Sequence, residues 1–200
     1  MSPGDLPAVL VVDDEPDVAD AYAAQLSSEY RVETAYSGEA ALEELGPDVD
    51  VVLLDRRMPG VSGDDVLDEI RERGLDCRVA MVTAVDPDFD IIEMPFDDYV
   101  IKPVSGDDLF ETIERLLNCA EYEATLQEYY ALSSKYATLL SNKSDAVLET
   151  SEEFADLETR REEVREQLDD TVAQFDDEDF AAVFRELHDG RPVAYEATDE

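Results

Sequence analysis

The sequence predicts a parallel α/β sheet followed by an all-helical region, and three observations carry this prediction. Four short apolar runs are typical of strands buried on both faces: AVLVV (8–12), VVLL (51–54), VAMV (79–82) and YVI (99–101). A polar residue with known site chemistry stands at or just after the end of each run. Between Gly106 and Gly190, 83 consecutive residues include neither glycine nor proline, which favours helix throughout.

The polar residues at the strand ends predict a functional site. They are Asp13 and Asp14, Asp55, Thr83 and Lys102. Because parallel strands present their carboxyl ends at one edge of the sheet, these side chains are expected to meet in one crevice. Two unit charges about 4 Å apart repel by roughly 4 kcal/mol at an effective dielectric of about 20, so clustered carboxylates need a cation. Mg²⁺ prefers such oxygen ligands, and a carboxylate can also become an aspartyl phosphate.

Each of these residues also has a plain structural interpretation. An Asp-Asp pair after a strand is typical of a turn or a helix cap, and Asp55 before Met-Pro-Gly is typical of a loop. Thr83 suits a strand because it is β-branched, Lys102 before proline suits a surface turn, and Tyr99 suits a core. The functional interpretation depends on all of them occurring in order, each at the end of a strand.

The order, spacing and flanking residues resemble a response-regulator receiver domain over about residues 6–120. The stretches that carry the resemblance are VVDDE (11–15), LLDRRMPGVSG (53–63), VTA (82–84) and YVIKP (99–103). The resemblance implies a flavodoxin-like fold, in which a five-stranded parallel sheet is doubly wound by helices. We expect this domain to span residues 6–118.

The same resemblance implies a phosphoacceptor and a metal site. Asp55 would accept the phosphoryl group, with Mg²⁺ as the cofactor. Asp14 would bind the metal directly, Asp13 through a water molecule, and Asp55 and the main-chain carbonyl of Arg57 would complete the protein ligands. The partner would be a sensor histidine kinase, and the chain would assist its own phosphorylation and dephosphorylation without being an enzyme in its own right.

The resemblance also implies two residues that read the phosphoryl group and two that act as a switch. Thr83 and Lys102 would bind its oxygens, as a hydroxyl and an ammonium do. Thr83 would also act as a switch residue, together with Tyr99, which lies three residues before the lysine.

The stretch between Thr83 and Lys102 departs from the family. It contains Pro87 and Pro95. Since proline inside a helix costs about 3 kcal/mol, the helix expected there should be short or irregular. In the receiver family this helix helps to form the output face, so a homodimer of the family's usual geometry does not follow, and dimerisation is left open.

The charge of the chain predicts its habitat. There are 53 acidic and 15 basic residues, a net charge of −38, and the excess is −22 over residues 1–118 and −16 over residues 119–200. A uniform acidic excess fits a cytoplasm with concentrated salt, because at about 1 M salt the repulsion between like charges is screened beyond about 3 Å. We therefore expect the source to be a halophile. We also expect a cytoplasmic protein without a membrane partner, because no signal-peptide pattern or apolar run of about 18 residues is present.

The helical region begins at a predicted cap formed by Ser105 and Asp108. Its apolar stripe comprises Leu109, Ile113, Leu116 and Leu117, and continues with coiled-coil spacing through Tyr122, Leu126, Tyr129, Ser133, Tyr136 and Leu140. One continuous helix of about 35 residues fits this pattern, although the sequence does not decide its continuity.

A second helix is predicted after SNKSD, with Thr150 and Glu153 as its capping box. Its repeat comprises Phe154, Leu157, Arg161, Val164, Leu168 and Phe175, and a short third helix would present Phe180, Val183, Phe184 and Leu187. The predicted architecture is therefore an all-α, coiled-coil-like helical hairpin, followed by a flexible tail at 189–200.

This region resembles the HalX domain that follows receivers in haloarchaeal regulators, over about residues 120–187. The likeness lies in EYYALSSK (128–135), TSEEFADLE (150–158) and FDDEDFAAVFREL (175–187). We expect the module at 119–188 to be the output, and the resemblance implies no catalytic role for it. It agrees with the prediction of a halophile.

The charge pattern argues against direct DNA binding. Nucleic-acid affinity comes from lysine and arginine, whereas the basic cluster Arg160, Arg161 and Arg165 alternates with glutamates, as on a solvated helix face. We expect an output by contact with a protein whose identity the sequence does not give. Two alternatives stay open: a DNA-binding transcriptional regulator, and a constitutive scaffold whose receiver does not signal.

Overall fold

The computed structural model describes residues 6–172 and divides the chain into two compact units, Met1–Ala120 and Glu121–Glu200. Within the described residues, none of the helices is both long and apolar enough to cross a bilayer.

The first unit is built on one five-stranded parallel sheet, as predicted. The strand order is β2-β1-β3-β4-β5, so the chain crosses over between β2 and β3. The strands are β1 (Ala8–Val12), β2 (Arg31–Ala35), β3 (Val51–Leu54), β4 (Arg78–Thr83) and β5 (Asp98–Ile101). The four apolar runs of the sequence are thus β1, β3, β4 and β5.

Helices cover both faces of the sheet. They are α1 (Pro16–Leu26), α2 (Gly38–Glu44), α3 (Gly63–Glu72) and the first part of α4 (Gly106–Asn142). Alternate strand residues enter two separate cores, because successive side chains of a strand point to opposite faces. Leu10, Leu54 and Met81 pack in one core with α2 and α3, whereas Val11 and Leu53 pack in the other with α1 and α4. The doubly wound architecture is therefore confirmed.

The prediction that all four runs are buried on both faces is wrong for β5. That strand is only partly buried, and Ile101 is 46% exposed, because β5 is an edge strand with a single neighbour. The other edge strand, β2, is also only partly buried, and its sequence RVETA lacks the apolar run that marks a central strand.

The segment between β4 and β5 is irregular, as its two prolines predict. It contains a single 3₁₀ helix, Phe89–Glu93, none of whose residues is buried. Asp88 caps this 3₁₀ helix by accepting a hydrogen bond from the amide of Phe89. Phe89 and Ile92 are 86% and 74% exposed.

Helix α4 begins at the predicted cap. The Ser105 hydroxyl accepts a hydrogen bond from the Asp108 amide at 3.2 Å, and the Asp108 carboxylate accepts one from the Ser105 amide at 2.9 Å. Leu109, Ile113 and Leu116, in the helical turns that follow this cap, are buried as expected.

In the second unit, α4 is followed by α5 (Asp145–Leu148) and α6 (Glu152–Val172). Tyr136 of α4 stacks on Phe154 of α6 with ring centroids 5.2 Å apart, and Glu128 pairs with Arg160 at 2.9 Å. Since the later residue of α4 contacts the earlier residue of α6, the two helices pack antiparallel. Knobs-into-holes packing of the coiled-coil kind stays a prediction.

Two details of the predicted hairpin are wrong. The cap of α6 is Ser151, not Thr150: the Ser151 hydroxyl accepts from the Phe154 amide at 3.1 Å, whereas the Thr150 hydroxyl donates back to Ala146. The predicted apolar stripe of α4 is also wrong at its last position: Leu140 is 47% exposed, whereas its neighbour Leu139 is half-buried.

The remaining predictions for the helical region lie outside the described residues. These are Phe175, the short third helix with its stripe, and the tail at 189–200.

Tyr30 provides a test of the first unit's core. Its side chain is 7% exposed and its ring lies 5.8 Å from that of Phe110. Burial, together with the charges of Glu114 and Glu29, raises the pKa of Tyr30 from 10.0 to about 12. A raised folded-state pKa means that the unfolded chain loses this proton first, so stability falls as the pH rises from about 10 towards 12.

We expect Tyr30→Phe to remove about 2 kcal/mol of this alkaline loss by about pH 12, since a tenfold change in proton affinity corresponds to about 1.4 kcal/mol and the loss is complete only above the folded-state pKa. Urea unfolding of both proteins at pH 9 and near pH 12, in the same salt, measures the difference. An identical loss in the two proteins would contradict the burial of this hydroxyl.

Candidate functional site

The predicted site residues come together at the carboxyl edge of the sheet. Asp13 follows β1, Asp55 follows β3, Thr83 ends β4 and Lys102 follows β5. Main-chain hydrogen bonds extend the ladder through these positions: the Asp55 amide donates to Val12 at 2.8 Å, and the Lys102 amide donates to Thr83 at 2.8 Å. The sheet therefore fixes the main-chain positions of these residues.

Three carboxylates form the acidic part of the site. Asp13, Asp14 and Asp55 each offer an oxygen, and these oxygens lie within 4.8 Å of one another. Asp13 and Asp55 are 2% and 8% exposed, and Asp14 is half-buried. Clustered carboxylate oxygens are the donor set that Mg²⁺ takes from proteins, so these residues fit that ion.

Asp13 also has the structural role that an Asp pair after a strand suggests. One of its oxygens accepts a hydrogen bond from the Glu15 amide at 3.0 Å, just before α1 begins at Pro16. The two interpretations of this residue are compatible, because its other oxygen faces Lys102.

Lys102 supplies the positive charge. Its ammonium lies 2.6 Å from an Asp13 oxygen and 3.5 Å from an Asp55 oxygen, and its side chain is 17% exposed. Burial acts to lower the pKa of Lys102, but the hydrogen bond to Asp13 and the charges of both carboxylates outweigh it and raise the pKa. The lysine is therefore held in its charged form.

Asp55 lies in a less favourable environment for its charge. Burial raises the pKa of its carboxyl above the usual 3.8, and the nearby charge of Asp13 adds to this. The charge of Lys102 and a hydrogen bond from Thr83 act in the opposite direction but do not cancel the shift. The ionised carboxylate is thus strained by burial in the absence of a further cation.

The two predicted switch residues contact the same residue, Val85. The Thr83 hydroxyl accepts a hydrogen bond from the Val85 amide at 3.4 Å, and the Tyr99 hydroxyl donates to the Val85 carbonyl at 2.8 Å. Thr83 is 1% exposed, and the Tyr99 ring is half-buried against Phe96 with centroids 5.5 Å apart. The loop after β4 therefore links the two side chains.

The loop after Asp55 is shaped by a close backbone approach. The Gly63 amide donates to the Arg56 carbonyl at 2.9 Å, and a Cβ at Gly63 would lie 2.2 Å from the Asp55 carbonyl oxygen. Only glycine fits there without a shift. Arg57, whose carbonyl is a predicted metal ligand, has an exposed side chain on this loop.

Sequence reasoning missed two residues near the site. Tyr22 of α1 lies among Lys102, Asp13 and Asp55, and burial raises its pKa. Arg56, directly after Asp55, is 11% exposed and binds carboxylates on two other segments. No local pattern marks either residue, because their neighbours come from elsewhere in the chain.

Comparison with known families agrees with this geometry. The model of the response regulator receiver domain matches residues 9–114, and that of the HalX domain matches residues 118–184. The chain belongs to the response regulator receiver family. It carries a HalX domain after the receiver, as the sequence predicts.

The chain is similar to several regulators over part of their length. A Haloferax volcanii protein, provisionally named a transcriptional regulator, is 57% identical over 158 residues, covering 78% of this chain and 27% of that protein. The transcriptional regulatory protein CutR of Streptomyces coelicolor is 44% identical over 113 residues, covering 54% of this chain and 52% of its own. The chain thus spans about a quarter and about half of these relatives.

Solved receiver structures have the same fold. A CheY-like receiver protein from Methanospirillum hungatei is 26% identical with a TM-score of 0.56, covering 60% of this chain and 99% of that one. The BeF3-activated receiver domain of DrrB, a Thermotoga maritima protein, is 29% identical with a TM-score of 0.52, covering 56% of this chain and 97% of that one.

Gly63→Ala should displace the Asp55 loop, because the new methyl group would overlap the Asp55 carbonyl oxygen. We expect a loss of stability of about 1–3 kcal/mol, the usual cost of forcing atoms into a packed region, measured by urea unfolding. Gly46→Ala is the matched control, since nothing lies within 4 Å of the added carbon there. Equal stability of the two variants would contradict the close approach.

Asp55→Asn should stabilise the metal-free protein at neutral pH. Because the folded-state pKa of Asp55 is raised, stability falls as the pH rises from about 4 through that pKa. Asparagine cannot ionise and escapes this loss. Urea unfolding at pH 7 with a chelator measures the gain, with the exposed Asp48→Asn as control. A less stable Asp55→Asn would show that the carboxylate is not strained.

Proposed function

We propose that this chain is a response regulator of a two-component system that accepts a phosphoryl group on Asp55. One observation carries this proposal: Asp55 shares a crevice at the strand ends with two further carboxylates, with the Thr83 hydroxyl and with the Lys102 ammonium. A sensor histidine kinase would be the phosphodonor, and the reaction would take place in the cytoplasm. The chain is a phosphoacceptor that assists its own modification, without a separate substrate.

In the proposed transfer, an Asp55 carboxylate oxygen attacks the phosphorus of a phosphohistidine. A P–O bond forms as the P–N bond breaks, and the leaving nitrogen keeps the electron pair of that bond. The imidazole, already protonated at its other nitrogen, leaves as neutral histidine. Lys102 stays protonated during the transfer and neutralises phosphoryl oxygens as a point charge.

The carboxylates of Asp13, Asp14 and Asp55, with the main-chain carbonyl of Arg57, would hold Mg²⁺. When bound, this ion neutralises charge on the phosphoryl oxygens. Lys102 balances one of the three clustered negative charges, which leaves a site for a divalent cation. The raised pKa of Asp55 supports the same conclusion, since its charge is undercompensated by protein groups alone.

The proposed switch begins at Thr83. Its hydroxyl now donates to Asp55 and accepts from the Val85 amide, and donation to a phosphoryl oxygen would redirect it. Val85 also holds the Tyr99 hydroxyl, so a shift of this residue changes the position of that ring. Phosphorylation adds about one to two negative charges at Asp55, enough to bias such a small rearrangement.

The proposed output is contact with a protein through the helical unit. The three arginines of the basic cluster in α6 are engaged: Arg160 pairs with Glu128, Arg165 pairs with Glu162, and Arg161 lies 3.9 Å from the Tyr136 ring centroid. Self-association is one form that this output can take.

A DNA-binding regulator is the second candidate, because two relatives are named as transcriptional regulators. A gel-shift assay across salt concentrations separates the two: DNA affinity that falls steeply with salt would support the second candidate. A constitutive scaffold would show no phosphorylation at all.

Phosphorylation of Asp55 is tested with a small-molecule acyl phosphate and Mg²⁺ in molar potassium chloride, followed by intact mass and light scattering. We expect a phosphoryl mass gain in the wild type and in Asp48→Asn, and none in Asp55→Asn. A gain that persists in Asp55→Asn would refute the assignment. No gain in the folded wild type with Mg²⁺ present would favour the scaffold.

A further inference from the structure

Arg56 directly follows the proposed phosphoacceptor, and its side chain connects three segments of the first unit. Its guanidinium donates to both oxygens of Asp64, at 3.0 and 3.3 Å from Nε, and also to Asp90. Asp64 lies in the first turn of α3, and Asp90 lies in the 3₁₀ helix Phe89–Glu93. The side chain itself is 11% exposed.

The contact with α3 is the firmer of the two. The Arg56 carbonyl also binds this helix, accepting from the Gly63 amide at 2.9 Å. A forked contact to one carboxylate, backed by a main-chain bond, fixes the arginine against α3. Both carboxylates are partly exposed, Asp64 at 45% and Asp90 at 55%, but Asp90 lacks the fork and the main-chain bond, so water and salt compete more effectively for its contact.

The 3₁₀ helix has little else to hold it at this end. None of its residues is buried, and Phe89 and Ile92 are mostly exposed. On its far side, Arg71 donates to the Pro95 carbonyl at 2.9 Å, and Met94 and Phe96 pack against the core. The Arg56 contact is therefore one of the side-chain contacts that place Asp90.

Arg56 also interacts with the Tyr99 hydroxyl, which binds Val85. The arginine is thus connected to the phosphoacceptor through the main chain and to the proposed switch aromatic through its side chain. The cleft that it borders, of about 460 Å³, is lined by Asp64, Asp86, Asp88 and Asp90 among others. A guanidinium surrounded by carboxylates responds to a change in the negative charge around it.

We propose that Arg56 couples the state of Asp55 to the position of the 3₁₀ helix. In the unmodified protein the guanidinium holds Asp90, and the charge gained at Asp55 weakens that contact while the fork to Asp64 is kept. The 3₁₀ helix is then released at its Asp90 end. This inference rests on the proposed function, because it assumes that Asp55 is the residue modified.

Hydrogen exchange of the full chain tests the coupling, with peptides covering residues 86–96 followed by mass spectrometry in molar potassium chloride. The acyl phosphate with Mg²⁺ serves as the phosphodonor, and intact mass is read on the same samples. In the wild type we expect exchange of these amides to rise about two- to five-fold on phosphorylation, as the loss of a partly exposed ion pair allows.

Two variants break the contact from opposite sides. Arg56→Gln and Asp90→Asn should show the raised exchange without phosphodonor and little further rise with it, while the phosphoryl mass gain is kept. Asp86→Asn is the matched control, because it removes an equal charge from the same cleft and leaves the arginine contact intact. Arg56→Lys should behave like Arg56→Gln, since an ammonium lacks the fork that binds both carboxylates.

The outcomes separate this inference from the proposed function. A wild type that gains the phosphoryl mass without a change in exchange over 86–96 overturns the coupling alone, as does an Asp90→Asn variant that responds like the wild type. A wild type that gains no mass overturns the proposed function, and the coupling with it.

Discussion

The contact of Lys102 with Asp13 and Asp55 is the interaction on which the site depends. The sheet ladder places the three residues, and one ammonium lies between two largely buried carboxylates. It compensates their charge only in part, because Asp14 adds a third carboxylate to the cluster and burial still raises the pKa of Asp55. The crevice therefore favours the binding of a further cation. A phosphoacceptor carboxylate that works with Mg²⁺ requires this property.

Single polar contacts connect the surroundings of the site to the surface of the first unit. Val85 accepts from Tyr99 and donates to Thr83, and Arg56 binds carboxylates of α3 and of the 3₁₀ helix. These contacts are few and partly exposed, unlike the packed cores on either face of the sheet. A packed core resists small forces, whereas a loop held by single polar contacts responds to them.

The central strands and the strand-end residues were predictable because each carries a local signal. An apolar run marks β1, β3 and β4. The polar residue that ends or follows each run can be identified without knowing the fold. The edge strand β2 lacks such a run, and the exposure of β5 depends on strand order, which a single run does not encode. Arg56 was missed because its partner Asp90 lies 34 residues away on a segment without a regular pattern. At the start of α6, two adjacent hydroxyl residues offered the same capping chemistry, and only the geometry selects Ser151 over Thr150.

An experimental structure of the full chain with Mg²⁺ and beryllofluoride, a stable mimic of an acyl phosphate, tests the central claim most directly. We expect the beryllium atom to be bonded to an Asp55 carboxylate oxygen, the metal to lie among Asp13, Asp14 and Asp55, and the Lys102 ammonium and Thr83 hydroxyl to contact the fluorine atoms. Beryllofluoride bound elsewhere, or Mg²⁺ held away from these carboxylates, would contradict it.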